Sequence, residues 1–125
     1  MNLILADTSV WVDHLRTPSS TLESLSDQER LIMHPLIIGE LSMGNLRDRP
    51  NFLRGLRQME AAPSAREDEV AGLVENHELF GLGISWIDAH LLASALLATN
   101  VLLWSRDRRL IAAAGAFGRA AIFDR

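Results

Sequence analysis

Short, continuous apolar runs recur along this chain, and a helical segment follows almost every one of them. The clearest runs are Leu3–Ala6 and Val101–Trp104, and weaker ones occupy residues 31–33, 59–62 and 120–123. A run without polar alternation is typical of a strand that is covered on both faces. Strands of this kind that alternate with helices predict an α/β fold, with a central parallel sheet of four or five strands and helices on both faces.

Seven helices are predicted from apolar periodicity and from the residues that begin and end helices. Ser20 and Ser64 each stand three residues before a glutamate, which is the spacing of a capping box. Ser85 is expected to cap the most apolar helix, and Gly81 to close the helix before it. The predicted helices span residues 8–15, 20–27, 35–43, 49–59, 64–81, 85–98 and 108–114.

The composition excludes several classes of chemistry. The 125 residues fit a single domain over residues 1–125 that can bury a core of its own. The absence of cysteine excludes disulfides, thiolate zinc sites and cysteine nucleophiles. All 12 basic residues are arginine, and without lysine there is neither a P-loop nor a Schiff base. The net charge of −4 is mild, and no secretion signal or membrane span is predicted, so a cytoplasmic location is expected.

Two carboxylates stand at the ends of the two clearest strands. Asp7 follows the first strand directly, and Asp107 lies three residues beyond Trp104. Parallel strands send their carboxyl ends to one edge of the sheet, where ligands bind in such folds. Taken singly, each aspartate is more simply explained as the cap of the helix that follows. Together, they are predicted to meet at one edge.

Two further acids fall within apolar helical segments. Asp88 has a simple explanation as the partner of Ser85 in a capping box. Glu40 has no such explanation, and we expect it to lie on an inward face, where an unpaired carboxylate is costly. Its neighbours at helical spacing are Leu36, Ile37, Met43 and Gly44.

If these four carboxylates converge, their mutual repulsion raises at least one pKa unless a divalent cation compensates the charge. Oxygen ligands without histidine or cysteine suit a hard ion, Mg²⁺ or Mn²⁺. Such an ion usually takes one or two carboxylates, keeps several waters and completes its shell with substrate phosphate. The chemistry that this predicts is phosphodiester hydrolysis by a metal-activated water.

The residues around these acids resemble the PIN domain of the VapC toxin family. The resemblance begins with the heptapeptide DTSVWVD at residues 7–13 and continues in order through three more segments, residues 35–41, 88–93 and 103–110. It implies a PIN-like three-layer α/β fold, with a short parallel sheet flanked by about seven helices. It also implies a Mg²⁺-dependent endoribonuclease that is a toxin, is held in check by a cognate VapB-type antitoxin and forms a homodimer.

The resemblance carries functional residues over to this sequence. The acidic quartet of the family corresponds to Asp7, Glu40, Asp88 and Asp107. Asp7 and Asp88 are then expected to bind Mg²⁺ directly, and Mn²⁺ can substitute for it. Glu40 and Asp107 are expected to bind through water, to complete a second ion site or to orient the nucleophile. Ser105 stands where relatives often have threonine and is expected to donate a hydrogen bond to a site carboxylate or a metal-bound water.

Two other interpretations of the sequence compete with a nuclease. A PIN-like module that has lost catalysis and only holds RNA or serves as a scaffold would not need all four acids. An acid-pocket phosphatase or phosphorelay domain would need a lysine, and a second aspartate at Ser9.

The remaining charged and aromatic residues say less about function. Asp13 and His14 are interpreted as ordinary surface residues. The three tryptophans lie in apolar segments, so packing in the core or at an interface is expected rather than base stacking. Arginines near the proposed site are the better candidates for RNA phosphate contacts, and they are Arg106, Arg108 and Arg109.

Overall fold

The computed structural model of this protein describes residues 1–123 and contains one four-stranded sheet. All strand pairs are parallel, and the strand order is β3-β2-β1-β4. The strands are β1 (Leu3–Ala6), β2 (Leu31–Met33), β3 (Glu60–Ala61) and β4 (Val101–Trp104). The predicted α/β class and parallel sheet are therefore confirmed.

Seven helices connect and follow the strands within the described residues. They are α1 (Thr8–Arg16), α2 (Ser20–Asp27), α3 (Pro35–Ser42), α4 (Arg49–Gln58), α5 (Glu67–Asn76), α6 (Trp86–Leu96) and α7 (Arg108–Ala116). None of these helices is long and apolar enough to cross a membrane.

The final predicted strand is shorter than expected. Ala120 forms a single parallel bridge with Leu103, and the Ala121 N–H donates to the Leu103 carbonyl at 2.9 Å. The apolar run at 120–123 thus packs along the edge of β4 without forming a full ladder. A run of this length does not by itself show how many of its residues reach the neighbouring strand.

The order in which the chain adds strands to the sheet reverses at β1. The chain builds β1, β2 and β3 outward on one side and then returns to place β4 on the other side of β1. Ala6 pairs with Trp104 in the register of these two strands, so both strands end at the same level. A reversal of this kind opens a crevice at the carboxyl ends of the strands. Asp7 and Ser105 are the first residues beyond those ends.

Helix α6 is the most deeply buried of the helices. All seven residues from 89 to 95 are buried, because the segment is apolar on every side and packs between α5 and the sheet. Its N-terminal turn, which carries Asp88, points to the same edge as the ends of β1 and β4. The core beneath it is built mainly of aliphatic side chains from β1 and β4.

Two of the predicted N-caps, Ser20 and Ser64, are wrong by one and two residues. The cap of α2 is Ser19, whose hydroxyl accepts from the Leu22 N–H at 3.2 Å. Adjacent serines left this register open, and the backbone of Ser19 is the one that is extended. Helix α5 begins after Arg66, because its N–H donates to the Glu69 carboxylate at 2.9 Å.

Helix α5 also ends earlier than predicted, at Asn76 rather than near Gly81. Glu78 adopts a left-handed backbone with a φ of 52°. The Leu79 N–H then donates back to the Val74 carbonyl at 2.9 Å, which closes the helix with a Schellman-type turn.

Candidate active site

Asp7 occupies the centre of the crevice between β1 and β4. Its side chain is buried, and its N–H donates to the Trp104 carbonyl at 2.9 Å, which extends the β1–β4 ladder by one bond. Its carboxylate accepts from the hydroxyls of Ser9 and Ser105, both at 2.5 Å. It also accepts from the Val10 N–H at 3.3 Å and so caps α1. The simple capping role and a site role thus coincide at this residue.

Two serines tie the β4–α7 turn to the start of α1. The Ser105 hydroxyl donates to Asp7 and accepts from the Asp107 N–H at 2.9 Å. The Ser9 hydroxyl also donates to Asp7 and accepts from the Arg106 N–H at 2.9 Å. Each serine has one donor and can accept at the same time. The carboxylate is therefore held between two chain segments that are distant in sequence.

Asp88 lies opposite Asp7 at the N-terminal turn of α6. Its carboxylate accepts from the Ser85 N–H, and its own N–H donates to the Ser85 hydroxyl, each at 3.0 Å. The predicted capping box is thus present. The negative charge of Asp88 also acts on Asp7. The cap fixes the turn, and the turn places a second carboxylate near the first.

Burial raises the pKa of the Asp7 carboxyl, because the folded protein takes its charge out of water. The neighbouring charge of Asp88 pushes the pKa in the same direction. Hydrogen bonds from Ser105, Ser9 and the Val10 N–H act against this change by stabilising the ionised form. The net direction is upward, so the charged form of Asp7 is costly at this buried position in the absence of a cation.

Glu40 does not lie on an inward face, and that expectation is wrong. Its side chain is exposed, and its carboxylate accepts from the Thr8 hydroxyl at 2.5 Å. The core face of α3 is formed by Ile37 and Leu41, while Met43 is exposed. Because α3 is apolar on several sides, its sequence pattern could not identify which side packs inward. Glu40 is nonetheless attached to the residue that follows Asp7.

Asp107 is exposed and caps α7, since its carboxylate accepts from the Arg109 N–H at 2.8 Å. This is the simple explanation considered for it from the sequence. Its backbone N–H is fixed by Ser105, which holds the residue at the rim of the crevice.

Within residues 1–123, no group of three or more histidine, aspartate or glutamate side chains is arranged to hold a metal ion. What the structure brings together is the pair Asp7 and Asp88. Glu40 is hydrogen-bonded to the Thr8 hydroxyl, and the Asp107 N–H to the Ser105 hydroxyl. A hard dication usually takes one or two carboxylates directly and fills its remaining positions with water. The buried Asp7 carboxylate, with the half-buried Asp88 near it, therefore fits such an ion.

One contact beside the site was not predicted from the sequence. Arg106 Nε lies 3.1 Å from Asp13 Oδ2, an ion pair between the β4–α7 turn and α1. No sequence signal pairs residues so far apart. Trp104 is buried in the core as expected, whereas Trp86 is 48% exposed and packs edge-on against His90 at 5.0 Å between ring centroids.

Comparison with known proteins agrees with this architecture. The PIN domain family matches the sequence over residues 4–116. Ribonuclease VapC32 of Mycobacterium tuberculosis is 40% identical over 118 residues, which are 94% of this chain and 95% of that protein. The same identity and coverage hold for VapC32 of strains CDC 1551 / Oshkosh and H37Rv.

A solved structure shares the fold. The crystal structure of PAE2754 from Pyrobaculum aerophilum matches with a TM-score of 0.60 and 19% sequence identity. The match covers 89% of this chain and 85% of that one. At this identity the likeness supports the fold alone.

Proposed function

The chain belongs to the VapC group of the PIN-domain family, and on that premise we propose that it is a metal-dependent endoribonuclease. In this proposal it is the toxin of a VapBC-type toxin–antitoxin system and hydrolyses RNA phosphodiester bonds. The observation that carries the proposal is the buried Asp7 carboxylate, which two serines orient and which faces Asp88 at the sheet reversal. The printed name of VapC32, a ribonuclease, supports the substrate class.

Asp7 and Asp88 are the residues that would hold Mg²⁺, or Mn²⁺ in its place. The bound ion would supply a Lewis acid that lowers the pKa of a water and neutralises phosphate charge. Ser9 and Ser105 keep the Asp7 oxygens in one orientation. In this proposal Glu40, which is bonded to Thr8, and Asp107, which is bonded to Ser105, would bind water or orient the nucleophile.

Direct attack by water makes a specific prediction about products. Hydrolysis of this kind leaves a 5′-phosphate and a 3′-hydroxyl, because the substrate 2′-hydroxyl is not the nucleophile. Sequencing RNA ends after brief induction of the toxin, with Asp7→Asn as control, tests both the activity and this chemistry. Ends that carry a 2′,3′-cyclic phosphate would contradict the mechanism.

The proposal includes protein partners. A VapB-type antitoxin is expected to bind and inhibit this chain, and the chain is expected to form a homodimer. Co-expression with the product of the adjacent gene, followed by purification through a tag on that product alone, tests the first point. Sedimentation of the isolated toxin tests the second.

The alternative is a PIN-like scaffold without catalysis. A capping role alone would account for Asp88 and Asp107, both of which make cap hydrogen bonds. It does not account for a buried Asp7 that faces another carboxylate. Calorimetric titration with Mn²⁺ separates the two, since a scaffold has no requirement to bind the ion.

Ser105→Ala is expected to lower cleavage by about 10- to 100-fold, the usual cost of losing a residue that orients a metal ligand. The substitution removes the donor to Asp7 and leaves the Asp107 N–H without its acceptor. A loss of stability of about 1–3 kcal/mol should accompany it. Ser24→Ala, at an exposed helix position, is the matched control. The measurement is the steady-state rate of RNA cleavage. Full activity in Ser105→Ala would show that cleavage does not need Ser105 to orient the Asp7 carboxylate.

The raised pKa of Asp7 predicts how the metal-free protein responds to pH. The folded state binds the Asp7 proton more tightly than the unfolded state, so its stability falls as pH rises from about the ordinary value of 3.8 through the raised pKa. Asp7→Asn lacks this charge. In EDTA, the melting temperature of the variant minus that of the wild type should therefore be larger at pH 7 than at acid pH.

Adding the metal should reverse this difference. Mg²⁺ is expected to raise the melting temperature of the wild type, because a ligand that binds only the folded state stabilises it. It should leave Asp7→Asn nearly unchanged. Differential scanning fluorimetry across pH, with and without Mg²⁺, checks both points, and a temperature difference that is independent of pH would contradict the first.

A further inference from the structure

A polar cleft lies beside the Asp7 site. It has a volume of about 290 Å³ and is formed by the C-terminal half of α1, residues 17–20 and Arg106. We call it the flanking cleft. Asp13 on its wall is six residues beyond Asp7 on the same helix, about 9 Å along the axis. Arg106 also lines the cleft and directly follows Ser105, so the cleft lies next to the site.

Arg106 is held firmly but keeps free donors. Its N–H donates to Ser9, its Nε is 3.1 Å from Asp13 Oδ2, and its guanidinium carbon lies 5.4 Å from the centre of the Trp104 ring. The side chain is 30% exposed. No hydrogen bond within residues 1–123 involves its two terminal nitrogens, which leaves them available to a ligand.

The flanking cleft carries an excess of donors and positive charge. Asp13 is the one acidic side chain among its lining residues, and Arg106 neutralises it. Arg16 is an exposed cation with no ion pair in the described part of the chain. The His14 Nδ1 accepts from the Ser19 N–H at 2.9 Å, so the neutral ring carries its proton on Nε2 as a further donor.

We propose that the flanking cleft binds a phosphodiester group of the RNA strand next to the scissile bond. Arginine guanidinium groups and neutral N–H donors are the groups that proteins use for phosphate oxygens. The site itself is acidic and repels RNA, so cations directly beside it hold the strand in place. This inference rests on the proposed function, because that function supplies RNA as the ligand.

Salt dependence of RNA binding tests the inference. Wild type, Arg16→Gln and Arg106→Gln are compared in EDTA by fluorescence anisotropy, with two labelled single-stranded RNAs of unrelated sequence. Each arginine variant should bind both RNAs about three- to tenfold more weakly, with the slope of log K against log salt reduced by about 0.7. Arg66→Gln, an exposed arginine that caps α5 and does not line the cleft, is the matched control and should leave both values unchanged.

A gain of binding provides a second test that misfolding cannot imitate. Asp13→Asn removes the carboxylate that neutralises Arg106 and should tighten binding of both RNAs. The inference would be overturned by unchanged salt slopes in both arginine variants, or by weaker RNA binding in Asp13→Asn. If the wild type still cleaves RNA in that case, the proposed function stands. A wild type that neither binds nor cleaves RNA would overturn both.

Discussion

Asp7→Asn and Asp88→Asn should each lower RNA cleavage by at least about a hundredfold, because each removes a charge that would hold the catalytic dication. Both variants should remain folded. Asparagine at 88 can still accept from the Ser85 N–H, and asparagine at 7 can still accept from one serine hydroxyl. The loss is thus expected in the rate and in metal binding, not in the fold.

The measurement is cleavage of a labelled RNA in Mg²⁺ by purified proteins, alongside circular dichroism and Mn²⁺ titration. Asp27→Asn, an exposed acid on α2, is the matched control and should cleave at the wild-type rate. Binding to the antitoxin should persist in both site variants, since neither changes the fold. Full activity in both would end the proposal that this pair of carboxylates carries the chemistry.

Leu5→Ala should lower the free energy of unfolding by about 2–5 kcal/mol. Leu5 lies in the middle of β1, is 0% exposed and pairs with Ile32 on one side and Leu103 on the other. Truncation leaves a cavity in the central strand, which cannot move without shifting both neighbours. A loss of this size is a large part of the 5–15 kcal/mol that is typical of whole domains.

Leu97→Ala provides the comparison, because Leu97 is 49% exposed and the same atoms are removed. Its effect should stay within about 0.5 kcal/mol. Urea unfolding followed by circular dichroism measures both. A cost below about 1 kcal/mol for Leu5→Ala would contradict the placement of β1 at the centre of the sheet.

The elements of the fold could be predicted because their causes are local. An apolar run such as Leu3–Ala6 and a cap such as Ser85 act over a few residues, and the structure confirms both. The prediction of a cap failed where two adjacent residues could both act as the cap. Ser19 and Ser20 are adjacent and can both cap a helix, and it is the Ser19 hydroxyl that accepts from the Leu22 N–H.

The sequence named the residues of the candidate site but did not predict how all of their side chains are arranged. The position of Asp7 directly after a buried strand predicted that it lies at the carboxyl edge of the sheet, and the spacing from Ser85 predicted the capping box that Asp88 makes. The orientation of Glu40 was mistaken, because an apolar helix gives no signal about which side meets the sheet. The ion pair between Asp13 and Arg106 was not expected at all.

By itself the amino-acid sequence determined the order of strands and helices, and with it the acids and hydroxyls that stand at the strand ends. Periodicity and capping depend on neighbours along the chain, so they can be read directly from it. Only the tertiary structure decided that Asp7 is buried and that Ser105, 98 residues away, donates to it. Such contacts depend on how the crossovers bring β4 back beside β1, which no local pattern encodes.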